Sequence, residues 1–330
     1  MHIVVTGAAG LIGSNLIKAL NVKGISNILA VDNLDRTDKF KNLVDCDFED
    51  YLPKDDFRRA LVSGSFDGDI SAIFHQGACS NTMESDAAYM MDNNYRYSCD
   101  LLLYCQQEHI PFIYASSAAV YGESKIFSEE RDNERPINIY GYSKFLFDQF
   151  VRRRWSDNTA QVVGLRYFNV YGPGEAHKGR MASVIYHLYK QYQQQGRVKL
   201  FMGSGSYQNG EQLRDFVSVI DAVRLNLWFL EHHDKSGIFN CGTGRARSFN
   251  ELALTTINQC RKIEGHRPMT IEKIINEQVL QYIEFPKELS GRYQDYTQAG
   301  TDKLLSAGYT TPFLNIEEGI EKYVKWLMKQ

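Results

Sequence analysis

The chain has 330 residues, with 37 Lys and Arg against 40 Asp and Glu; a formal net charge of −3 gives no electrostatic reason to expect nucleic acid or an anionic membrane as a partner. Hydrophobic residues make up 43% and charged residues 23%, the balance of a chain that buries a core, and the length suits one large α/β domain with an appended lobe or two ordinary domains. No apolar run is long enough to span a bilayer. The six cysteines (Cys46, Cys79, Cys99, Cys105, Cys241 and Cys260) show neither CxxC spacing nor histidine clustering, which predicts reduced thiols and no metal site in a cytoplasmic protein.

The N-terminal MHIVVTGAAG runs straight into a strand and a glycine loop, so no signal peptide is expected. β-Branched runs at His2–Thr6, Ile28–Val31, 72–75, 112–116 and 161–168 predict buried strands, and amphipathic stretches at Leu11–Val22, 86–107 and 140–155 predict helices between them. Strands buried on both faces and separated by helices make βαβ units, hence an α/β fold of the Rossmann type with a doubly wound parallel sheet. After about residue 170 the alternation loosens into glycine-rich turns, GPGEAHKG and GSGSYQNGE, and an aromatic-rich helix at 181–195. This half reads as a smaller, discontinuous C-terminal substrate lobe. The expected division is 1–170 for the dinucleotide-binding domain, with a segment at about 213–242 returning to it, and 171–330 mainly for the lobe.

Gly7, Gly10 and Gly13 follow the first strand as G-x-x-G-x-x-G and open the helix at Leu11. Glycines let the backbone turn tightly against a pyrophosphate, whose charge rests on free N–H groups at the helix N-terminus. The second strand ends in Asp32–Asn33, and an acidic residue there ordinarily holds the adenosine ribose and favours NAD. Arg36 and Lys39 follow closely and suit a 2′-phosphate. NADP is therefore the expected cofactor, with NAD as the alternative.

Tyr140 and Lys144 stand four residues apart in NIYGYSKFLFDQF, one turn apart on a helix face. A neighbouring ammonium favours phenolate, so the tyrosine is expected to have a lowered pKa and to act as a base near neutral pH. The strand ending in Ser116–Ser117 offers a hydroxyl to the reacting oxygen.

Together T-G-A-A-G-L-I-G, S-S-A-A-V-Y-G and Y-G-Y-S-K resemble the extended short-chain dehydrogenases/reductases that act on nucleotide sugars, nearly from end to end of the chain. The resemblance implies Ser117, Tyr140 and Lys144 as the catalytic set. It implies a cofactor surface of Gly7, Gly10, Leu11, Ile12, Gly13, Asp32, Asn33, Lys39, Lys54, Gln76, Gly77, Ala78, Cys79, Ser80, Asn93, Lys144, Val170 and Lys178. The 4,6-dehydratases of this family carry Asp-Glu directly after the serine, to protonate a leaving hydroxyl. Ala118 and Ala119 stand there in this chain, which disfavours elimination.

The segments 90–95, 166–173, 177–183 (H-K-G-x-M-A-S) and 291–299 resemble those of the ADP-glyceromanno-heptose 6-epimerases, which supply a lipopolysaccharide inner-core precursor. Oxidation of C6 to an aldehyde, rotation of the carbonyl and return of the hydride to its other face are the implied chemistry. Tyr140 would serve one epimer and Lys178 the other; the alternative for Lys178 is a contact to cofactor or diphosphate. Carried over as contacts to the ADP-heptose substrate are Ser117, Asn169, Arg180, His187, Phe201, Met202, Gly203, Ser204, Arg214 and Tyr293. Simpler structural alternatives are an Arg214–Asp215 ion pair, packing of Tyr293 and a core position for His187. Three departures stand out: Arg180 replaces a small hydroxyl residue, and the loops 205–212 and 264–278 are long. The family implies a homo-oligomer, a pentamer. A UDP-hexose 4-epimerase or ketosugar reductase is the nearest rival, and a non-catalytic NADP-sensing scaffold is the rival of another class.

Overall fold

A computed structural model of the chain describes residues 1–34, 38–285 and 294–330. In chain order its first half runs β1 (His2–Thr6), α1 (Leu11–Val22), β2 (Ile28–Val31), β3 (Asp50–Leu52), α2 (Lys54–Val62), β4 (Ile70–His75), α3 (Ala87–Met90), α4 (Tyr97–Gln107), β5 (Phe112–Ser117), α5 (Ile139–Arg153) and β6 (Val162–Tyr167). There follow β7 (Asn169–Tyr171), α6 (Val184–Gln195), β8 (Val198–Phe201), β9 (Leu213–Ser218), α7 (Val219–Glu231), β10 (Gly237–Cys241) and β11 (Ala246–Ser248). The chain closes with α8 (Phe249–Ile263), α9 (Ile271–Asn276), β12 (Leu280–Ile283), α10 (Asp302–Ser306) and α11 (Ile316–Leu327). No helix among the described residues is long and apolar enough to cross a membrane.

Two compact units share these elements. The first comprises Met1–Tyr167, Val219–Cys241 and Asp302–Thr310; the second comprises Phe168–Ser218, Gly242–Thr301 and Thr311–Gln330. The segment returning to the first unit thus starts at Val219 rather than near 213, because β9 pairs with β7 and β11 in a sheet of the second unit. The return of Asp302–Thr310 to the first unit had no sequence signal.

Seven strands of the first unit form a parallel sheet in the order β10-β6-β5-β4-β1-β2-β3. Apolar runs explain it: β2, β6 and β10 are buried at every residue, as a sheet covered on both faces requires. The order reverses between β1 and β4, the switch point where ligands of doubly wound folds bind, beyond the carboxyl ends of the strands. Phe147 of α5 packs edge-on against Tyr114 of β5, ring centres 4.8 Å apart, within a core that includes Val4, Ile73, Phe112 and Val151.

The helix expected over 86–107 is interrupted by a π-helical segment, Met91–Arg96, between α3 and α4. Such wide turns are frequent at functional sites, and this one carries Asn93 and Asn94. The run expected as one strand over 161–168 ends at Tyr167, and the chain resumes as β7 in the other unit.

In the second unit β9 pairs in parallel with β7 and antiparallel with β11, and β8 pairs in parallel with β12. Helices α6, α8 and α11 pack around a core that includes Ile185, Leu188, Leu252, Ile257, Ile320 and Val324. The helix expected over 181–195 begins at Val184, because the Ser183 side chain accepts a hydrogen bond from Tyr186 N and caps it.

Candidate active site

The glycine loop is built by contact between neighbouring strands. Gly7 has φ +67°, and a Cβ there would lie 2.7 Å from both Gln76 C and Gly77 N. Gly77 N donates to the Thr6 side-chain Oγ1 at 3.1 Å, which holds the loop after β4 against the end of β1. A Cβ at Gly13 would meet Gly7 O at 2.1 Å, which forces the bend into α1. Gly10 caps α1 without a side-chain bond, so the N–H groups of Leu11, Ile12 and Gly13 begin a helix whose dipole favours an anion.

Around this loop the structure gathers much of the expected cofactor set. Asp32 is buried and accepts from Ala9 N at 2.8 Å and Asn33 N at 2.7 Å, and it pairs with Lys39. Asn33 Oδ1 accepts from Lys54 N at 3.1 Å, and Lys54 Nζ donates to Asn93 Oδ1 at 2.9 Å. Arg36 lies outside the described residues. Gln76 is committed internally: its amide donates to Asn226 Oδ1 at 3.0 Å, and its carbonyl accepts from Tyr167 OH at 3.0 Å. These two bonds fix the start of the 76–80 loop against β6 and α7.

The loop of Ala78, Cys79 and Ser80 is held by a residue that local motifs did not reveal. Asn94, fully buried, accepts from Cys79 N at 2.8 Å, donates to Cys79 O at 3.0 Å and reaches Ser143 Oγ at 3.2 Å. It thereby ties the 78–80 loop to α5 next to Lys144. The adjacent asparagines are the signal the sequence carries, and the family resemblance implies a role only for Asn93.

Ser117, Tyr140 and Lys144 come together in this same unit. Ser117 ends β5, and its hydroxyl hydrogen-bonds Tyr140 in the first turn of α5. Asn138 caps that helix, accepting from Gly141 N at 2.8 Å, and Gly141 lets it approach closely: a Cβ there would lie 2.6 Å from Ala119 O. One turn on, Lys144 Nζ donates to Ala115 O at 2.7 Å. Burial pulls the ammonium down to about 8, against the upward pull of Asp148 and Cys79.

One expectation is overturned here. The Tyr140 phenol is not lowered by Lys144 but raised, because burial disfavours phenolate more than the Ser117 hydrogen bond favours it.

Beneath the triad lies a buried ionic network. Arg166, Asp148 and Glu134 are all buried; Arg166 Nε donates to Asp148 Oδ2 at 3.0 Å, and its guanidinium also pairs with Glu134. Asp148 further accepts from Tyr114 OH and Ser116 Oγ, each at 3.0 Å. Buried charges are tolerated only when paired and hydrogen-bonded, and this pairing explains an arginine inside the apolar run VVGLRYF.

The remaining candidates lie in the second unit. Asn169 and Val170 are on β7, where Asn169 Nδ2 donates to Asp215 O at 3.0 Å. Lys178 is half-buried on the 3₁₀ turn Ala176–Met181; burial lowers its ammonium and Glu175 opposes that shift. Arg180, on the same turn, is exposed. His187 is half-buried and edge-on to Tyr186 at 5.9 Å, which is not the core position its apolar neighbours suggested.

Phe201 ends β8, and the Met202–Gly203–Ser204 turn after it is fastened from two sides: Gln212 Nε2 donates to Met202 O at 3.1 Å, and Ser204 Oγ donates to Asp295. Arg214 is buried on β9 and donates to Leu213 O at 3.2 Å. Asp215 directs its carboxylate to Thr243 N, Gly244 N and Ala299 N, as alternation along a strand requires of neighbours. Tyr293 lies outside the described residues. Among the described residues no group of three His, Cys, Asp or Glu side chains is placed to hold a metal ion.

A doubly wound parallel sheet with a glycine loop at its switch point defines an α/β fold of the Rossmann, dinucleotide-binding type, with Ser117, Tyr140 and Lys144 on adjoining elements. The NAD dependent epimerase/dehydratase family model matches residues 3–242, and the chain belongs to that family. Within it, the chain is 57% identical over 328 residues to the curated ADP-L-glycero-D-manno-heptose-6-epimerase of Thiobacillus denitrificans, covering 99% of each. The crystal structure of the Helicobacter pylori ADP-L-glycero-D-manno-heptose-6-epimerase is 32% identical, with a TM-score of 0.81 and coverage of 100% of this chain and 96% of that one. The UDP-glucose 4-epimerase of Thermotoga maritima, solved with UDP-glucose, is 27% identical, with a TM-score of 0.77 and coverage of 100% and 99%.

The family implies a nicotinamide dinucleotide, and the residues present fit one. The uncapped N-terminus of α1 suits a pyrophosphate, and Gly7 and Gly13 keep clear the space that side chains would fill.

Proposed function

We propose that this chain inverts C6 of the heptose in ADP-D-glycero-D-manno-heptose, giving ADP-L-glycero-D-manno-heptose for lipopolysaccharide inner-core synthesis. The observation that carries this reading is the 57% identity, over 328 residues, to the curated heptose epimerase; the Ser117–Tyr140–Lys144 geometry supports the chemistry. The cofactor is proposed as NADP: Lys39 neutralises Asp32, a carboxylate that would otherwise repel a 2′-phosphate. A homo-oligomer, pentameric as the family resemblance implies, and a cytoplasmic location belong to the same proposal.

A bound nicotinamide cofactor would accept hydride from C6 and return it. Tyr140 exchanges the proton of the C6 hydroxyl as the carbon is oxidised, and Ser117 hydrogen-bonds the same oxygen. The carbonyl so formed is a ketone rather than the aldehyde expected from the resemblance, because C6 of a heptose is bonded to both C5 and C7. Once the carbonyl has turned its other face, Lys178 delivers the proton for the opposite epimer. Lys144, one turn from Tyr140 and held by Ala115 O, would orient the cofactor ribose. Arg214 would hold the diphosphate.

Incubation with ADP-D-glycero-D-manno-heptose and, separately, UDP-galactose, followed by NMR, tests the substrate: epimerisation of the UDP sugar alone would overturn it. Lys178→Met tests the two-base scheme. The expected loss in kcat is about 10²–10⁴-fold, and a kcat within a few-fold of wild type at saturating substrate would exclude Lys178 as an acid or base.

A further inference from the structure

Glu175 is three residues ahead of Lys178 and fully buried. Its carboxylate reaches both ends of the segment that carries the lysine. Oε1 accepts from Gly172 N at 3.3 Å and from Ser183 Oγ at 2.8 Å, and Oε2 accepts from Ser183 N at 2.5 Å. Gly172 directly follows β7, and Ser183 caps α6. A third element joins at the same group, since the Tyr323 phenol of α11 hydrogen-bonds Glu175.

Within the segment His177 Nδ1 hydrogen-bonds Gly174 O at 2.9 Å, and Ala182 N donates to Gly179 O at 3.1 Å. The segment is a short 3₁₀ turn, and Gly179, at φ 53° and ψ −122°, breaks the helical geometry directly after Lys178. Lys178 N donates to Glu175 O at 2.9 Å, so the backbone of the lysine hangs from the residue whose side chain closes the turn. Burying a carboxylate away from water costs stability unless donors surround it, and here the donors come from both ends of one turn.

We infer that Glu175 is a positioning residue, a clasp that closes the 172–183 turn and fixes Lys178 for proton transfer. This rests on the role proposed above for Lys178. Glutamine at position 175 keeps the size but has one acceptor oxygen, so its NH₂ group faces the N–H of either Ser183 or Gly172 and one of these two bonds is lost, which loosens the clasp.

The test is a double-mutant cycle on the full chain with ADP-heptose, after Lys178→Met alone has been measured. If Lys178→Met leaves kcat intact, the two-base reading fails and the clasp fails with it. If it lowers kcat as expected, Glu175→Gln should lower kcat by roughly tenfold to 10²-fold, the cost of a small misplacement, with KM for the nucleotide sugar and cofactor affinity little changed. In the Lys178→Met background the same change should add almost nothing, because the group being positioned is already gone. Losses that multiply, or a lowered melting temperature with kcat per folded molecule unchanged, would overturn the clasp while leaving Lys178 in place. Should Glu175→Gln not fold, Tyr323→Phe removes one donor conservatively. It should cost a smaller part of kcat that again vanishes without Lys178, and an unchanged kcat would count against the proposal.

Discussion

In the first unit the glycine loop, the loop at 76–80 and Ser117 each lie at the carboxyl end of a strand in one parallel sheet, and Tyr140 and Lys144 are one turn apart on a helix packed against it. In the second unit Lys178 and Ser204 sit on turns that depend on distant partners: Glu175 bridges Gly172, Ser183 and Tyr323, and Ser204 reaches Asp295. One region positions its chemistry by regular secondary structure, the other by side-chain bonds across the sequence. A catalytic group on a helix inherits its place from backbone hydrogen bonds, whereas one on a short turn needs an added tether.

The sharpest way to break this contrast is Tyr140→Phe. Because the surrounding frame is regular, the variant should fold and bind cofactor as wild type does, while kcat falls by about 10²–10⁴-fold. Loss of cofactor affinity in titration, in place of lost kcat, would show that Tyr140 belongs to the frame rather than to the chemistry.

Gly7→Ala attacks the frame itself. Its φ of +67° and the 2.7 Å approach to Gln76 and Gly77 leave no room for a Cβ. Calorimetry should find a stability loss of about 1–3 kcal/mol, with weaker cofactor binding. Gly179→Ala, at φ +53° but with nothing within 4 Å of the added carbon, should cost less, and equal costs would erase the distinction between packed loop and suspended turn.

A pH titration sharpens the comparison within the first unit. Lys144 is pulled from 10.5 to about 8 by burial, so its charge is present at pH 7 and is lost as pH rises through 8. Cofactor affinity measured by fluorescence should therefore weaken above pH 8, by up to about tenfold per pH unit, and Lys144→Arg should remove this dependence. The stability linkage runs the other way. Between about 8 and 10.5 the unfolded chain holds more protons, so this group's contribution to stability rises with pH.

The smallest effect is expected at Lys39. Lys39→Ala should reduce NADP affinity by about tenfold, the size of one charge-assisted hydrogen bond, and NAD affinity less. Equal losses for both cofactors would mean that Lys39 serves only to hold Asp32.

The sequence by itself determined the parallel sheet, the glycine loop and the Tyr–Lys spacing. Each is a local property: unbroken apolar runs make strands buried on both faces, glycines make a bend, and a separation of four residues makes a helix face. It carried no signal that β9 pairs with β7 or that Asp302–Thr310 groups with the first unit.

Tertiary structure alone decided which polar residues support the site. Asn94 fastens the Cys79 loop, Asp148 and Arg166 form the ionic network under the triad, and Glu175 closes the Lys178 turn. Their partners lie from 3 to 148 residues away along the chain, as Glu175 with Gly172 and with Tyr323 shows, and no short window of sequence contains the whole set. The same holds for the electrostatics. Spacing suggested that Lys144 lowers the Tyr140 phenol, yet the fold buries that phenol, and the cost of charge in a low-dielectric setting outweighs what a neighbour one turn away supplies.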